Sequence, residues 1–211
     1  MTLETGTSLY RYSLGDNMPE EWQADFHNIE YDYPGIGPKN QVGAFFFYPN
    51  KETAHKVLKV AIGKMEAQGR HFERNTITRC STTAEIRLLD LTTCTQPVDV
   101  LYTLYNNEID ILDGSFIKKL DVNTSQNLSD IRNAFENITT NRQSIDVVNA
   151  FFYSYVGYIG QLLTDFENGS VFKELLDERH YEGYAFQEEP TSPTICIFDS
   201  AKLSLPHHTI I

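Results

Sequence analysis

Apolar residues fall into short runs with strand-like or helix-like spacing along the first half of the chain. Residues 8–13, within SLYRYSLGD, carry β-favouring tyrosines in weak alternation and predict a first strand. The apolar run VGAFFFYP predicts a second, buried strand over residues 42–49. Residues 15–41, between them, predict an irregular loop with several Pro and Gly. In residues 51–68 apolar side chains recur on one helical face, and Asn50 stands at the N-cap position.

The second half of the chain favours helices and closes with strands. Residues 76–92 predict one or two strands, and apolar spacing predicts helices over residues 98–107, 129–138, 144–166 and 171–180. YEGYAFQEE and TICIFDSAKL, separated by PTSP, predict a β-hairpin. Strands at both ends with helices mostly in the second half indicate an α+β fold rather than alternating βαβ units. No linker composition divides the sequence, so we expect a single domain over residues 1–211.

Composition narrows the classes of function. The 211 residues include 12 Tyr and 13 Phe, which can supply a sizeable core. A net charge of -12 argues against extended nucleic-acid binding, which needs clustered Lys and Arg, although a local pocket for one small anion is compatible with it. Cys80, Cys94 and Cys196 show no CxxC spacing and predict reduced thiols. The chain has no signal-peptide pattern and no apolar run long enough to span a membrane, so we expect a cytoplasmic protein with no membrane partner.

Several common catalytic and nucleotide-binding motifs are missing from the sequence. There is no GxGxxG, GxxxxGK[ST], HExxH or GxSxG. None of the six histidines forms a metal-ligand pair on one helix face, so we expect no metal site. His207 and His208 are expected to belong to a solvated tail.

Three stretches nevertheless combine polar or aromatic side chains with predicted strands. LYRYS contains Arg11, a residue type rarely buried without a partner. GAFFFYPNKETAHKVL leads a strand ending at Tyr48 into a helix, and YEGYAFQEEPTSPTICIFDSAKL forms the predicted hairpin. In their order and spacing, with EIRLLDLT between them, these stretches resemble the ADP-ribosyltransferase-like superfamily, and in pattern most of all its RES-domain NAD-degrading toxins. The resemblance implies a split antiparallel β-sheet core with flanking helices, and NAD as the substrate.

The resemblance also implies roles for particular residues. Arg11 takes the NAD-anchoring role, because its planar guanidinium can hold a pyrophosphate bidentately. Tyr48 takes the position of a ring or hydroxyl at the end of the middle strand. Phe47 points to the other face of that strand, and a register shift of one residue would make Phe47 or Phe46 the stacking ring instead. Lys39 or Asn40, in the loop before the strand, is a candidate contact for phosphate or amide.

The carboxylate that would stabilise charge on the ribose has no fixed position in the sequence. The transferase pattern has a Glu immediately before the last apolar strand, where this chain has Thr194. Glu188 is the preferred candidate, with Glu182 and Glu189 as alternatives. The RES pattern has a Ser or Asn in the hairpin, a position that Ser192 matches.

Three classes of function are compatible with these features. The preferred one is an NAD-cleaving enzyme that transfers ADP-ribose to a macromolecule, water or phosphate, as a toxin or effector with a protein acceptor or antitoxin as partner. The second is a nucleotide-binding module without turnover, favoured by Thr194 and by a helix Glu of the RES pattern that only Glu52 could replace here. The third is a protein-interaction domain that uses the aromatic segment AFFYSYVGYIG, residues 150–160.

Overall fold

The structure, a computed structural model, describes residues 1–15, 18–22, 42–109, 160, 163–164, 169–189 and 192–211. The elements within these ranges, in chain order, are β1 (Thr2–Leu3), β2 (Ser8–Leu14), β3 (Phe45–Phe47), α1 (Lys51–Glu66), β4 (Asn75–Ser81), β5 (Ile86–Arg87), β6 (Leu89–Leu91), α2 (Pro97–Asn106), α3 (Gly169–Asp177), β7 (Gly183–Glu189), β8 (Ser192–Ile197), a 3-10 turn (Ser200–Lys202) and β9 (His207–Ile210).

The described strands form two larger sheets and one small one. The first large sheet has the order β2-β4-β9, and the second has the order β3-β8-β7-β6. β1 pairs with β5 in the small sheet. Each of these pairs is antiparallel except β6 with β7, which is parallel. The predicted mixed α+β class with antiparallel pairing is therefore confirmed, while the assignment to the ADP-ribosyltransferase-like fold stays a prediction.

A backbone bridge joins the two larger sheets. Tyr10 in β2 and Tyr48, one residue past β3, exchange two N–H to O=C hydrogen bonds of 2.9 and 2.6 Å. Residues opposite one another in a bridge point to the same side of a sheet, and side chains alternate along each strand. Tyr10 and Tyr48 therefore lie on one face, and Arg11 and Phe47 lie on the other. We call these the helix face and the opposite face, because the helices pack on the first.

Each face has its own apolar core. On the helix face, α1 packs with Tyr12, Tyr48 and Ile77, while α2 and α3 pack with apolar side chains of β6, β7 and β8. The predicted amphipathic helix at α1 is confirmed, and Asn50 caps it by accepting a hydrogen bond from the Thr53 backbone N–H at 2.8 Å. On the opposite face, side chains of both large sheets, of the small sheet and of Trp22 form a second core around Phe45 and Phe47.

Several sequence-based boundaries needed correction. The strand predicted over residues 42–49 is shorter, because Tyr48 leaves the pairing with β8 to bridge Tyr10. Residues 207–208 are not a solvated tail, since they begin β9 and pair with β4. The helices predicted over residues 129–138 and over most of 144–166 lie outside the described residues. Where the chain is described, none of its helices is both long and apolar enough to cross a membrane.

Candidate functional site

The hairpin of β7 and β8 brings Glu188 and Thr194 together. The Thr194 hydroxyl donates a hydrogen bond to Glu188 Oε2 at 2.5 Å, a length typical of a hydroxyl on a carboxylate. Thr194 is only 1% exposed, whereas Glu188 is half-buried. A hydroxyl that faces a buried environment needs a partner, and here the partner is a carboxylate.

A β-bulge positions Glu188 for this contact. Gln187 pairs with Pro193 and Glu189 pairs with Ser192, so the register of the ladder shifts at Glu188. Proline has no backbone N–H to give to the ladder, which explains why the regular pairing is interrupted at this point. The structure thus brings Glu188 into contact with Thr194, and a catalytic role for Glu188 stays a prediction.

Tyr48 lies on the same face as Thr194. Side chains alternate along a strand, so Tyr48 points to the same side as Phe46, whose register partner Cys196 points to the same side as Thr194. The Tyr48 ring stacks on Tyr12 with their centroids 6.3 Å apart and their planes at 15°, and Tyr48 is 8% exposed. One face of the Tyr48 ring therefore packs against another tyrosine, and little of the side chain is exposed.

Arg11 is not brought together with Tyr48 and Glu188. It follows Tyr10 in β2 and therefore points to the opposite face, where it pairs in register with Thr78. Thr78 is in turn paired with His208 of β9, and its hydroxyl lies 2.9 Å from His208 Nδ1. The Arg11 guanidinium also lowers the pKa of the nearby Cys80 thiol, but burial outweighs it and raises that pKa to about 12.

Phe47 is a core residue rather than an exposed ring. It is 0% exposed, and Trp22 packs on it edge-to-face with the ring centroids 5.5 Å apart. Phe47 shares the opposite face with Arg11, as the alternation along β3 predicted. Because Trp22 covers it, the predicted contact between Phe47 and a ligand has no support from the structure.

The alternative carboxylate Glu182 lies at the other end of the hairpin. Its Oε1 is 2.5 Å from Lys202 Nζ, and its Oε2 accepts a hydrogen bond from the Arg87 backbone N–H. These contacts tie the residue before β7 to β5 and to the 3-10 turn after β8, far along the strand from Thr194. Among the three candidate carboxylates, Glu188 is thus the one for which a contact with Thr194 is observed.

The structure gives less information about the remaining candidate site residues. Ser192 lies in β8 opposite Glu189, next to the bulge, and a ligand-binding role for either residue stays a prediction. Lys39 lies outside the described residues, as does most of the aromatic segment 150–160. Where the structure describes the chain, no group of three His, Cys, Asp or Glu side chains could hold a metal ion.

Sequence reasoning gave no role to three residues that organise this region. Thr194 counted only as a departure from the family pattern, although the neighbouring Pro193 is a signal for a bulge. Trp22 and His208 tie residues 18–22 to the chain after β8: Trp22 Nε1 donates to Ser204 O and His208 Nε2 bonds Pro19 O, each at 2.8 Å. No local sequence pattern predicts these contacts, since each joins residues far apart in the chain.

Comparisons with known proteins give little further guidance. No protein-family model matches the chain, and no curated protein matches it. Among solved structures, a chain of the M. tuberculosis MbcT-MbcA toxin-antitoxin complex is similar over 100% of this chain and 86% of that chain, with 12% sequence identity and a TM-score of 0.43. A similarity of this size establishes neither a shared fold nor a shared function.

Proposed function

We propose that this protein cleaves NAD and transfers ADP-ribose to water, phosphate or a macromolecule. The observation that carries the proposal is the Glu188 carboxylate, which the bulge and Thr194 hold on the face that also carries Tyr48. Further support comes from the order of LYRYS, GAFFFYPNKETA and the terminal hairpin, which resembles NAD-degrading proteins. A toxin or effector role, with an antitoxin or protein acceptor as partner, belongs to the same proposal.

The chemistry needs little from the protein beyond charge and position. When the bond between the ribose carbon and the nicotinamide nitrogen breaks, its electron pair goes to the nitrogen, and neutral nicotinamide leaves. The ribose keeps the positive charge, which a nearby carboxylate such as Glu188 stabilises. An acceptor oxygen or nitrogen then bonds to the ribose carbon and releases its proton.

The experiment that tests the proposal measures nicotinamide release from NAD by purified protein, with water, phosphate and cell lysate as acceptors. Glu188→Gln keeps the shape of the side chain and removes its charge, so we expect a loss of roughly 100-fold or more. Glu182→Gln is the matched control in the same hairpin and is expected to retain activity. Circular dichroism should show equal folding of the variants. If the wild-type protein releases no nicotinamide with any acceptor, the proposal is wrong.

Arg11 provides a separate arm of this experiment. If Arg11 anchors the NAD pyrophosphate as the resemblance implies, Arg11→Ala raises KM strongly and Arg11→Lys does so less, because Lys lacks the bidentate fork. If the ligand is confined to the helix face, both variants keep the wild-type KM while Glu188→Gln is still inactive. The two outcomes distinguish a site that spans both faces from one that occupies a single face.

The second candidate function is nucleotide binding without turnover. The burial of Tyr48 against Tyr12 favours it, because a ring already stacked within the protein is not free to stack on nicotinamide. This alternative predicts heat of NAD binding by calorimetry together with no nicotinamide release. Absence of binding to NAD and to other nucleotides would exclude both functions.

A further inference from the structure

The Thr194 and Glu188 side chains share a hydrogen bond but differ in the number of their rotatable bonds. Thr194 is 1% exposed and sits within the regular pairing of β8, opposite Phe186. Its β-branched side chain has a restricted χ1, so the direction of its hydroxyl is set by the strand. Glu188 lies where the register shifts, and a Glu side chain has several rotatable bonds. The Thr194 hydroxyl is therefore a fixed donor toward which the longer Glu188 side chain is oriented.

The effect of this hydrogen bond on the Glu188 carboxyl group depends on which group donates it. A threonine hydroxyl has one hydrogen to donate, and here that hydrogen is directed at Glu188 Oε2. An ionised carboxylate can only accept hydrogen bonds, so this contact stabilises the charged form of Glu188 over the neutral form. The same contact orients the carboxyl group relative to β8.

We propose that Thr194 is a positioning residue that keeps the Glu188 carboxylate ionised and oriented on the helix face. The catalytic consequence rests on the proposed NAD-cleaving function, whereas the effect on Glu188 does not.

Two variants at Thr194 test this inference, one without the hydroxyl and one without the methyl group. Thr194→Val replaces the hydroxyl with a methyl group of similar size, and Thr194→Ser keeps the hydroxyl and removes the methyl group. The titration of Glu188 is followed by carbon NMR of its side-chain carboxyl, assigned by the signal lost in Glu188→Gln. We expect the Glu188 pKa in Thr194→Val to be higher than in the wild type by about one pH unit, and Thr194→Ser to restore most of the difference.

Enzyme kinetics give the second readout. Loss of the hydroxyl should move the acidic limb of the pH profile of kcat to higher pH. The size of this move should equal the change in the Glu188 pKa measured by NMR, with KM for NAD unchanged. A purely structural role for Thr194 would lower the yield of folded protein without moving this limb. If Thr194→Val does not fold, Thr194→Ala removes the same hydroxyl and carries the same test.

The outcomes separate the two proposals. An unchanged Glu188 titration in a folded Thr194→Val or Thr194→Ala variant would overturn the positioning role, whatever the activity. A raised Glu188 pKa in Thr194→Val, together with no nicotinamide release by the wild-type protein, would support the positioning role and refute the NAD-cleaving function.

Discussion

The aromatic contact between Phe47 and Trp22 allows a sharp test of whether Phe47 is a core residue or a ligand contact. Phe47 is fully buried, and its ring lies 5.5 Å from that of Trp22 with the planes at 81°. Phe47→Leu retains most of the apolar volume, and a swap of this kind costs less than about 1.5 kcal/mol. It also removes an aromatic pair worth about 0.5–1.5 kcal/mol beyond burial. Together these effects predict a loss of about 1–3 kcal/mol in the free energy of unfolding.

A double-mutant cycle measures the pair directly. The free energies of unfolding of Phe47→Leu, Trp22→Leu and the double variant are obtained from urea denaturation, and the coupling should be about 0.5–1.5 kcal/mol. Phe46→Leu is the matched control, because Phe46 lies on the helix face and packs on Phe186 instead. Its coupling with Trp22 should be close to zero. A Phe47→Leu variant with unchanged stability but weakened NAD binding would refute the core assignment and restore Phe47 as a ligand contact.

Two further predictions concern stability. Gly183→Ala should destabilise the protein by about 1–3 kcal/mol or more, because a Cβ at Gly183 would lie 2.0 Å from the Cys196 carbonyl oxygen. Gly63→Ala is the control, because a Cβ at Gly63 in α1 would have no atom within 4 Å, and it should stabilise the protein by about 0.4–1 kcal/mol. Urea denaturation measures both changes. Burial raises the Cys80 pKa from 9.0 to about 12, so the folded state keeps the thiol proton that the unfolded chain releases above pH 9. Stability from this source is full below pH 9 and falls by about 1.4 kcal/mol per pH unit as the pH rises toward 12. Cys80→Ala should lack this part of the decline between pH 8 and pH 10, and equal slopes in both proteins would contradict the assignment.

The elements that depend on local spacing could be predicted from the sequence. α1 follows from apolar residues on one helical face and a capping Asn50, and the β7–β8 hairpin follows from two apolar runs around a proline-containing turn. Both signals lie within a few residues of the element they specify, so the fold class was accessible without knowledge of distant contacts.

The relative placement of the site residues could not be predicted in the same way. Whether Arg11 and Tyr48 share a face depends on the register of the bridge between Tyr10 and Tyr48, which joins two distant parts of the chain. A shift of one residue would have reversed the result. β9 was missed for a related reason: His207–Ile210 has little apolar alternation, and its pairing with β4 comes from tertiary context.

The strand order also has a consequence for the chain during its synthesis. β3 consists of three phenylalanines and finds its ladder partner in β8, while β4 pairs with β9, where Thr78 and His208 are 130 residues apart. A ribosome releases these aromatic residues long before their partners exist, so the nascent chain must carry an unpaired apolar edge. Translation that stalls before β8 leaves that edge open, and such chains are expected to require chaperone binding to avoid aggregation.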